Sequence, residues 1–259
     1  MNSDYVAPIR PLEPHPKAII VGASSGIGEA LARRLASEGY VLALLARRED
    51  RLRDICDEIN ISGVGLSRAY THDVLDTDNI PSVYRKVMSE LGGLDLFVYA
   101  AGITFPSDQN VYDSGNDALV LRVNLIGAIV WLNLVGERFM QAGEGHIVGL
   151  GSVAGCRGRR GMPAYAASKA GLHTYLEGLR NRIACYGVTV TTVLAGQVNT
   201  EMLKNAEKVR GPISVEKAAE LVWRAISRRR QTVYIPAWWS LVCLVIRHIP
   251  SFIFRRLNI

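Results

Sequence analysis

From residue 17 onward, short apolar runs alternate with longer amphipathic stretches, and glycine closes most of the stretches. The runs at 17–22, 41–46, 64–70, 94–100, 146–151, 188–194 and 232–235 have strand length and are apolar on both faces, the pattern of strands covered from both sides of a sheet. Between them, helices are predicted to end near Gly39, Gly63, Gly92, Gly143 and Gly187, where glycine suits the left-handed C-terminal cap. The consequence is a parallel sheet clothed by helices, a doubly wound α/β fold. No repeat, low-complexity tract or linker divides it. Residues 17–236 therefore read as one domain, preceded by a loose Pro-rich arm (1–16) and followed by an apolar extension (237–259).

Composition narrows the class. At 259 residues, with 49% hydrophobic and 21% charged, the chain can bury a substantial core and lies outside the range of disordered sequences. The net charge of +6 comes largely from arginine clusters at 47–48, 157–160, 228–230 and 255–256. There is no long basic run and no zinc-finger spacing, so nucleic acid is not an expected partner. Cys56, Cys156, Cys185 and Cys243 are scattered without a C-x-x-C pair, which suits free thiols in a reducing compartment better than disulfides or a metal site. The N-terminal arm lacks the apolar core of a signal peptide, so a cytoplasmic protein is expected.

Two stretches carry candidate chemistry. The first apolar run leads into GASSGIG, Gly22, Ala23, Ser24, Ser25, Gly26, Ile27 and Gly28, and then a helix. That spacing lets the backbone turn sharply and approach a pyrophosphate at the helix N-terminus; the bland alternative is a tight turn. The second run ends in Ala46, Arg47 and Arg48, where a fold preferring NAD usually places an acidic side chain. Guanidinium groups match the 2′-phosphate of NADP instead, unless they merely open a solvated helix. Asp73, in His72-Asp73-Val74, can accept from an adenine amino group or simply hold a turn.

The other stretch is SVAGCRGRRGMPAYAASK, residues 152–169. Tyr165 and Lys169 lie four apart and share a helix face, with Pro163 suited to the helix start. An ammonium beside a phenol stabilises the phenolate and is expected to lower the Tyr165 pKa, making it a general acid or base at neutral pH. Ser152 ends an apolar run and would stand at a strand's C-terminal end, where open α/β sheets bind ligands. Alone, Y-x-x-x-K more often marks a solvated helix face.

GASSGIG, His72-Asp73-Val74, Ala101-Gly102, Asn124, Ser152 and Tyr165-x-x-x-Lys169, in this order and spacing, resemble the short-chain dehydrogenase/reductase family over about residues 17–235. The resemblance implies a Rossmann-type, seven-stranded parallel sheet and NADP(H)-dependent interconversion of an alcohol and a carbonyl. By that likeness Tyr165 is the acid/base, Lys169 lowers its pKa and holds the nicotinamide ribose, Ser152 binds the substrate oxygen, and Asn124 anchors a water relay behind Lys169. Ala101, Gly102 and Gly196 would border the cofactor, Val74 its adenine end, and Val198 and Thr200 its carboxamide. The family also implies a homodimer or homotetramer. A non-catalytic, cofactor-binding scaffold is the alternative, which the intact Asn124, Ser152, Tyr165 and Lys169 argue against.

The chain departs from the family in three places. Tyr99-Ala100 stands where two asparagines usually brace the central strands, and Ala195 replaces a proline before Gly196. The third departure is the extension, which at helical spacing gathers Trp238, Trp239, Leu241, Val242, Val245, Ile246, Ile249 and Ile253 on one face, with Ser240, Arg247, Ser251 and Arg255 opposite. A membrane-surface anchor, a dimer interface and a helix folded over the substrate cleft all fit that pattern. The apolar tail favours a lipid-like substrate over a small polar one. Arg157, Arg159 and Arg160 either pair locally or hold an acidic group on the substrate, and 200–212, with Met202 and Leu203, resembles a substrate lid.

Overall fold

The computed structural model describes residues 15–105, 112–205 and 211–257. Strands β1 (Lys17–Val21), β2 (Val41–Ala46), β3 (Leu66–Thr71), β4 (Leu96–Tyr99), β5 (His146–Ser152), β6 (Thr189–Ala195) and β7 (Thr232–Ile235) form one parallel sheet in the order β3-β2-β1-β4-β5-β6-β7. Each falls within two residues of its predicted run. β3 differs in kind: as an edge strand it alternates exposed and part-buried positions along most of its length.

Around the sheet lie α1 (Gly26–Ser37), α2 (Glu49–Ser62), α3 (Ile80–Leu91), α4 (Ser114–Leu121), α5 (Gly127–Ala142), α6 (Pro163–Ile183) and α7 (Val215–Ser227). Gly63, Gly92 and Gly143 end their helices in the left-handed conformation, as their positions after the amphipathic stretches imply. Two cores follow. One packs Leu31, Leu35, Leu52 and Val222 on the face covered by α1, α2 and α7; the other packs Val87, Trp131, Phe139 and Leu176 beneath α3, α5 and α6. Strand order reverses between β1 and β4, and the crevice at that switch point, beyond the strands' C-terminal ends, is where such sheets bind ligands.

Between α4 and α5 the helix widens into a π turn, Arg122–Ile126, which buries Val123 and Asn124. A π turn loosens the regular ladder and often marks a functional site. Here Tyr99, fully buried on β4, donates its hydroxyl to the Val123 carbonyl at 2.7 Å. The bracing expected to be lost with the asparagines is thus supplied from β4 by a different route.

The extension folds back on the body as α8 (Trp239–His248) and α9 (Ser251–Phe254). The predicted single helical face is corrected. Pro250 cannot continue the hydrogen-bond ladder, so the chain breaks after Ile249. The inward face is Trp239, Cys243 and Ile246, with Cys243 against Val153 and Leu194, whereas Leu241 and Val245 point outward. Contact with the turn at Val153–Cys156 and with β7 selects that face, information that helical periodicity alone does not contain.

Candidate active site

The loop after β1 lies on the sheet's switch point with no room for side chains at two glycines. A Cβ on Gly22, whose φ is +92°, would stand 2.4 Å from the Ala101 nitrogen, and one on Gly28 would stand 2.2 Å from the Gly22 carbonyl oxygen. The close approach leaves an open cradle at the N-terminus of α1, where unpaired N–H groups and the helix dipole favour an anion. Ser24, Ser25, Gly26 and Ile27 line the same cleft. Arg48 reaches across from the end of β2: its guanidinium donates to the Ser24 hydroxyl at 3.2 Å, to the Ser25 hydroxyl at 2.5 Å and to Glu201 at 3.0 Å. Arg47 turns the other way and sits 3.9 Å from Asp73, largely exposed. Of the two arginines, Arg48 is therefore the one joined to the glycine loop. Asp73 accepts from the Leu75 N–H, holding the turn after β3 at the cleft's edge beside Val74.

At the other end of the cleft stand Ser152, at the end of β5, and Tyr165 and Lys169, on one face of α6. Pro163 occupies the first turn of α6, where its missing N–H costs no intrahelical bond. The Ser152 hydroxyl accepts from the Ala154 N–H at 3.1 Å and lines the same end of the cleft as Tyr165, whose hydroxyl points to the Met202 sulfur at 3.9 Å. The Lys169 ammonium is buried, donates to the Leu150 carbonyl at 3.0 Å and lies 5.8 Å from the Tyr165 ring centre. Asn124 stands behind this wall without lining it. Its carboxamide exchanges two hydrogen bonds with the Ile103 backbone and donates to Ser168 at 3.1 Å.

The expected direction of the tyrosine shift is corrected. Burial pushes the Tyr165 phenol up, and the neighbouring Ser152 hydroxyl offsets only part of that. The same burial pushes Lys169 down to about 8. A desolvated phenol keeps its proton, so Tyr165 stands as a donor.

Ala101, Gly102, Gly196, Val198 and Thr200 complete the cleft, and its surfaces bring together every predicted cofactor residue. Met202 and Leu203 line it as well; residues 206–210 of the predicted lid lie outside the described residues.

Two neighbours of the site, His173 and Glu201, were not foreseen. His173, eight residues beyond Tyr165 on the same helix face, accepts the Ser152 backbone N–H on Nε2 at 3.2 Å; that spacing is the signal that could have found it. Burial, with Lys169 and Arg247 nearby, holds it neutral, down at about 4. Glu201 pairs with both Arg48 and Arg51 across the cleft mouth. Trp239 of α8, on the extension for which a helix folded over the cleft was one of the expectations, lines the cleft where its indole covers Gly196. Arg157 and Arg160 face the extension: Arg157 donates to the carbonyls of Ile246 and Ile249 and lies 4.1 Å over the Phe254 ring, and Arg160 donates to the Arg255 carbonyl. Among those three arginines only Arg159 borders the cleft.

Comparison with known proteins agrees with this geometry. The family model described as short chain dehydrogenase matches residues 16–211. The chain is 32% identical over 231 residues to an uncharacterized oxidoreductase of Mycobacterium tuberculosis, covering 88% of this chain and 91% of that one. Two solved structures share the fold. A short-chain dehydrogenase from Sphingobium yanoikuyae in complex with NADPH superposes with a TM-score of 0.80 at 24% identity, over 91% of this chain and 97% of that one. A short-chain dehydrogenase/reductase from Burkholderia phymatum in complex with NAD gives 0.82 at 22%, over 95% and 96%.

Proposed function

The chain belongs to the short-chain dehydrogenase family, and on that premise we propose that it is an NADP(H)-dependent oxidoreductase interconverting a secondary alcohol and a ketone, favouring carbonyl reduction of an extended, lipid-like substrate. The observation that carries the reading is the convergence of Ser152, Tyr165 and Lys169 at the end of a cleft whose other end is the glycine cradle with Arg48. The residues fit a dinucleotide. The cradle would be filled by a Cβ at Gly22 or Gly28, and the Ser24, Ser25 and Arg48 group is a donor set suited to a phosphate monoester, which favours NADP over NAD.

When bound, the nicotinamide supplies or takes up a hydride. The chain's own residues handle the oxygen. Ser152 and Tyr165, side by side on the cleft wall, present hydroxyls to a carbonyl oxygen placed between them, and Tyr165 transfers its proton as charge builds there. Lys169 stabilises the phenolate left behind. A phenol held protonated by burial is the acid form, the state from which a proton can be given to the substrate oxygen. Asn124 holds the Ile103 backbone and Ser168 in place behind Lys169. Apolar side chains at this end, Met162, Met202, Leu203 and Trp239, support an extended apolar substrate.

The test is NADPH and NADH oxidation with ketones graded by chain length and charge. Turnover that rises with chain length and is faster with NADPH is expected; turnover confined to small polar carbonyls, or faster with NADH, counts against the reading.

A further inference from the structure

The last two helices expose a concentration of apolar surface that the fold does not use. Trp238 is 52% exposed, Leu241 65%, Leu244 55%, Val245 55% and Phe252 60%, while the inner face of α8 is already committed to the body through Trp239, Cys243 and Ile246. The segment does not merely dangle. Arg157 caps the end of α8 from inside, and Arg160 holds the carbonyl of Arg255, so the apolar side chains are presented outward on a fixed platform. Exposed apolar side chains concentrated on one segment in this way mark an interaction site.

Charge identifies what it meets. No Asp or Glu follows Glu220 in the chain, whereas Arg247, Arg255 and Arg256 are exposed around the apolar side chains. A two-fold interface between copies sets like against like near its axis, which would bring these arginines toward their own copies with no Asp or Glu side chain in the segment to neutralise them. Anionic headgroups supply that complement, and a helix with Trp and aliphatic side chains outward and arginine at its margins is suited to the headgroup boundary. We propose that the outer face of α8 and α9 docks the protein on an anionic lipid bilayer. The docking face stands independently of the reaction. Its use rests on the proposed reading of a lipid-like carbonyl: Trp239, on the inner side of the same helix, lines the cleft, so a substrate leaving the bilayer would enter beside the docked surface.

The experiment uses the full chain with phosphatidylcholine vesicles, with and without phosphatidylglycerol, read by co-sedimentation. Wild type is expected to sediment with the anionic vesicles and to be released by salt. Leu241→Glu/Val245→Glu, at two outward positions that take no part in the core, is expected to abolish binding. Each arginine near an anionic surface contributes about fivefold to partitioning, so Arg255→Gln/Arg256→Gln is expected to weaken binding about thirtyfold. Unchanged binding in either variant overturns the proposal. So does a wild type that ignores vesicles but forms a dimer that Leu241→Glu/Val245→Glu splits, since the face would then join subunits. NADPH oxidation with a water-soluble ketone, run on the same samples, separates the two readings. Retained turnover in the Leu241→Glu/Val245→Glu variant with lost vesicle binding supports docking, while vesicle binding without turnover of any carbonyl leaves docking standing and removes the oxidoreductase reading.

Discussion

Replacing Arg157 by alanine removes the cation that ends α8 and ties the extension to the loop after Ser152. In the folded protein its guanidinium donates to the Ile246 carbonyl at 2.7 Å and to the Ile249 carbonyl, and stacks 4.1 Å over Phe254. The last carbonyls of a helix have no intrahelical partner, and a cation there also meets the negative end of the dipole. Hydrogen bonds to a charged group contribute about 1.5–3 kcal/mol each, and a partly exposed cation–π contact about 0.5–1 kcal/mol. The carbonyls regain water when the helix lifts away, which offsets part of this, so the net loss from the docked state is about 3 kcal/mol, or about a hundredfold in the opening equilibrium. Amide hydrogen exchange reads that equilibrium directly. Protection across α8 is expected to fall by about two orders of magnitude in Arg157→Ala while β1 and β4 keep theirs, and Arg157→Lys should recover only part because it lacks the planar fork. Unchanged protection of α8, or an equal loss in α8 and the central strands, would refute the assignment of Arg157 as the clamp.

Tyr99→Phe leaves the Val123 carbonyl without its buried donor and is expected to destabilise the fold by about 1–3 kcal/mol in urea titrations, with a lower kcat through the displaced Asn124; stability equal to wild type would show that the hydroxyl does not brace the π turn. His146 and His173 are both held neutral by burial, down at about 4, so between about pH 6.5 and 4 the unfolded chain binds more protons than the folded one. Stability is therefore constant with respect to these groups above pH 6.5 and falls on acidification, by up to about 2 kcal/mol for each histidine between pH 6.5 and 5, and a flat urea midpoint over that window would contradict the shifts. Arg48→Gln is expected to weaken NADPH binding about ten- to a hundredfold, measured by fluorescence titration, and to leave NADH binding nearly unchanged; equal losses for both would point to a role in folding the glycine loop.

Strand positions were legible because burial on both faces writes a continuous apolar run, and helix ends because a left-handed cap selects glycine, as at Gly63, Gly92 and Gly143. The cleft was legible for a related reason: Gly22 and Gly28 leave no room for a Cβ, and the four-residue spacing of Tyr165 and Lys169 carries a geometric meaning on any helix. What depends on a partner distant in sequence was not. RVNLI reads as ordinary helix, and its π turn becomes intelligible only with the Tyr99 hydroxyl aimed at Val123. Both faces of α8 are apolar, so periodicity did not say that Cys243 would turn in and Leu241 out; the contact with Val153 and Leu194 decides it. The tyrosine pKa was read from a neighbour in sequence, whereas burial, a property of the whole fold, sets its direction.

The central claim is that Tyr165 delivers the proton, and the most direct measurement compares wild type with Tyr165→Phe on the ketone turned over fastest, with NADPH affinity measured alongside. A loss of kcat by about 100-fold or more, with NADPH binding within a few fold of wild type, is the predicted result for removal of a general acid. Turnover in Tyr165→Phe close to that of wild type would contradict the account, because another group would then be protonating the oxygen.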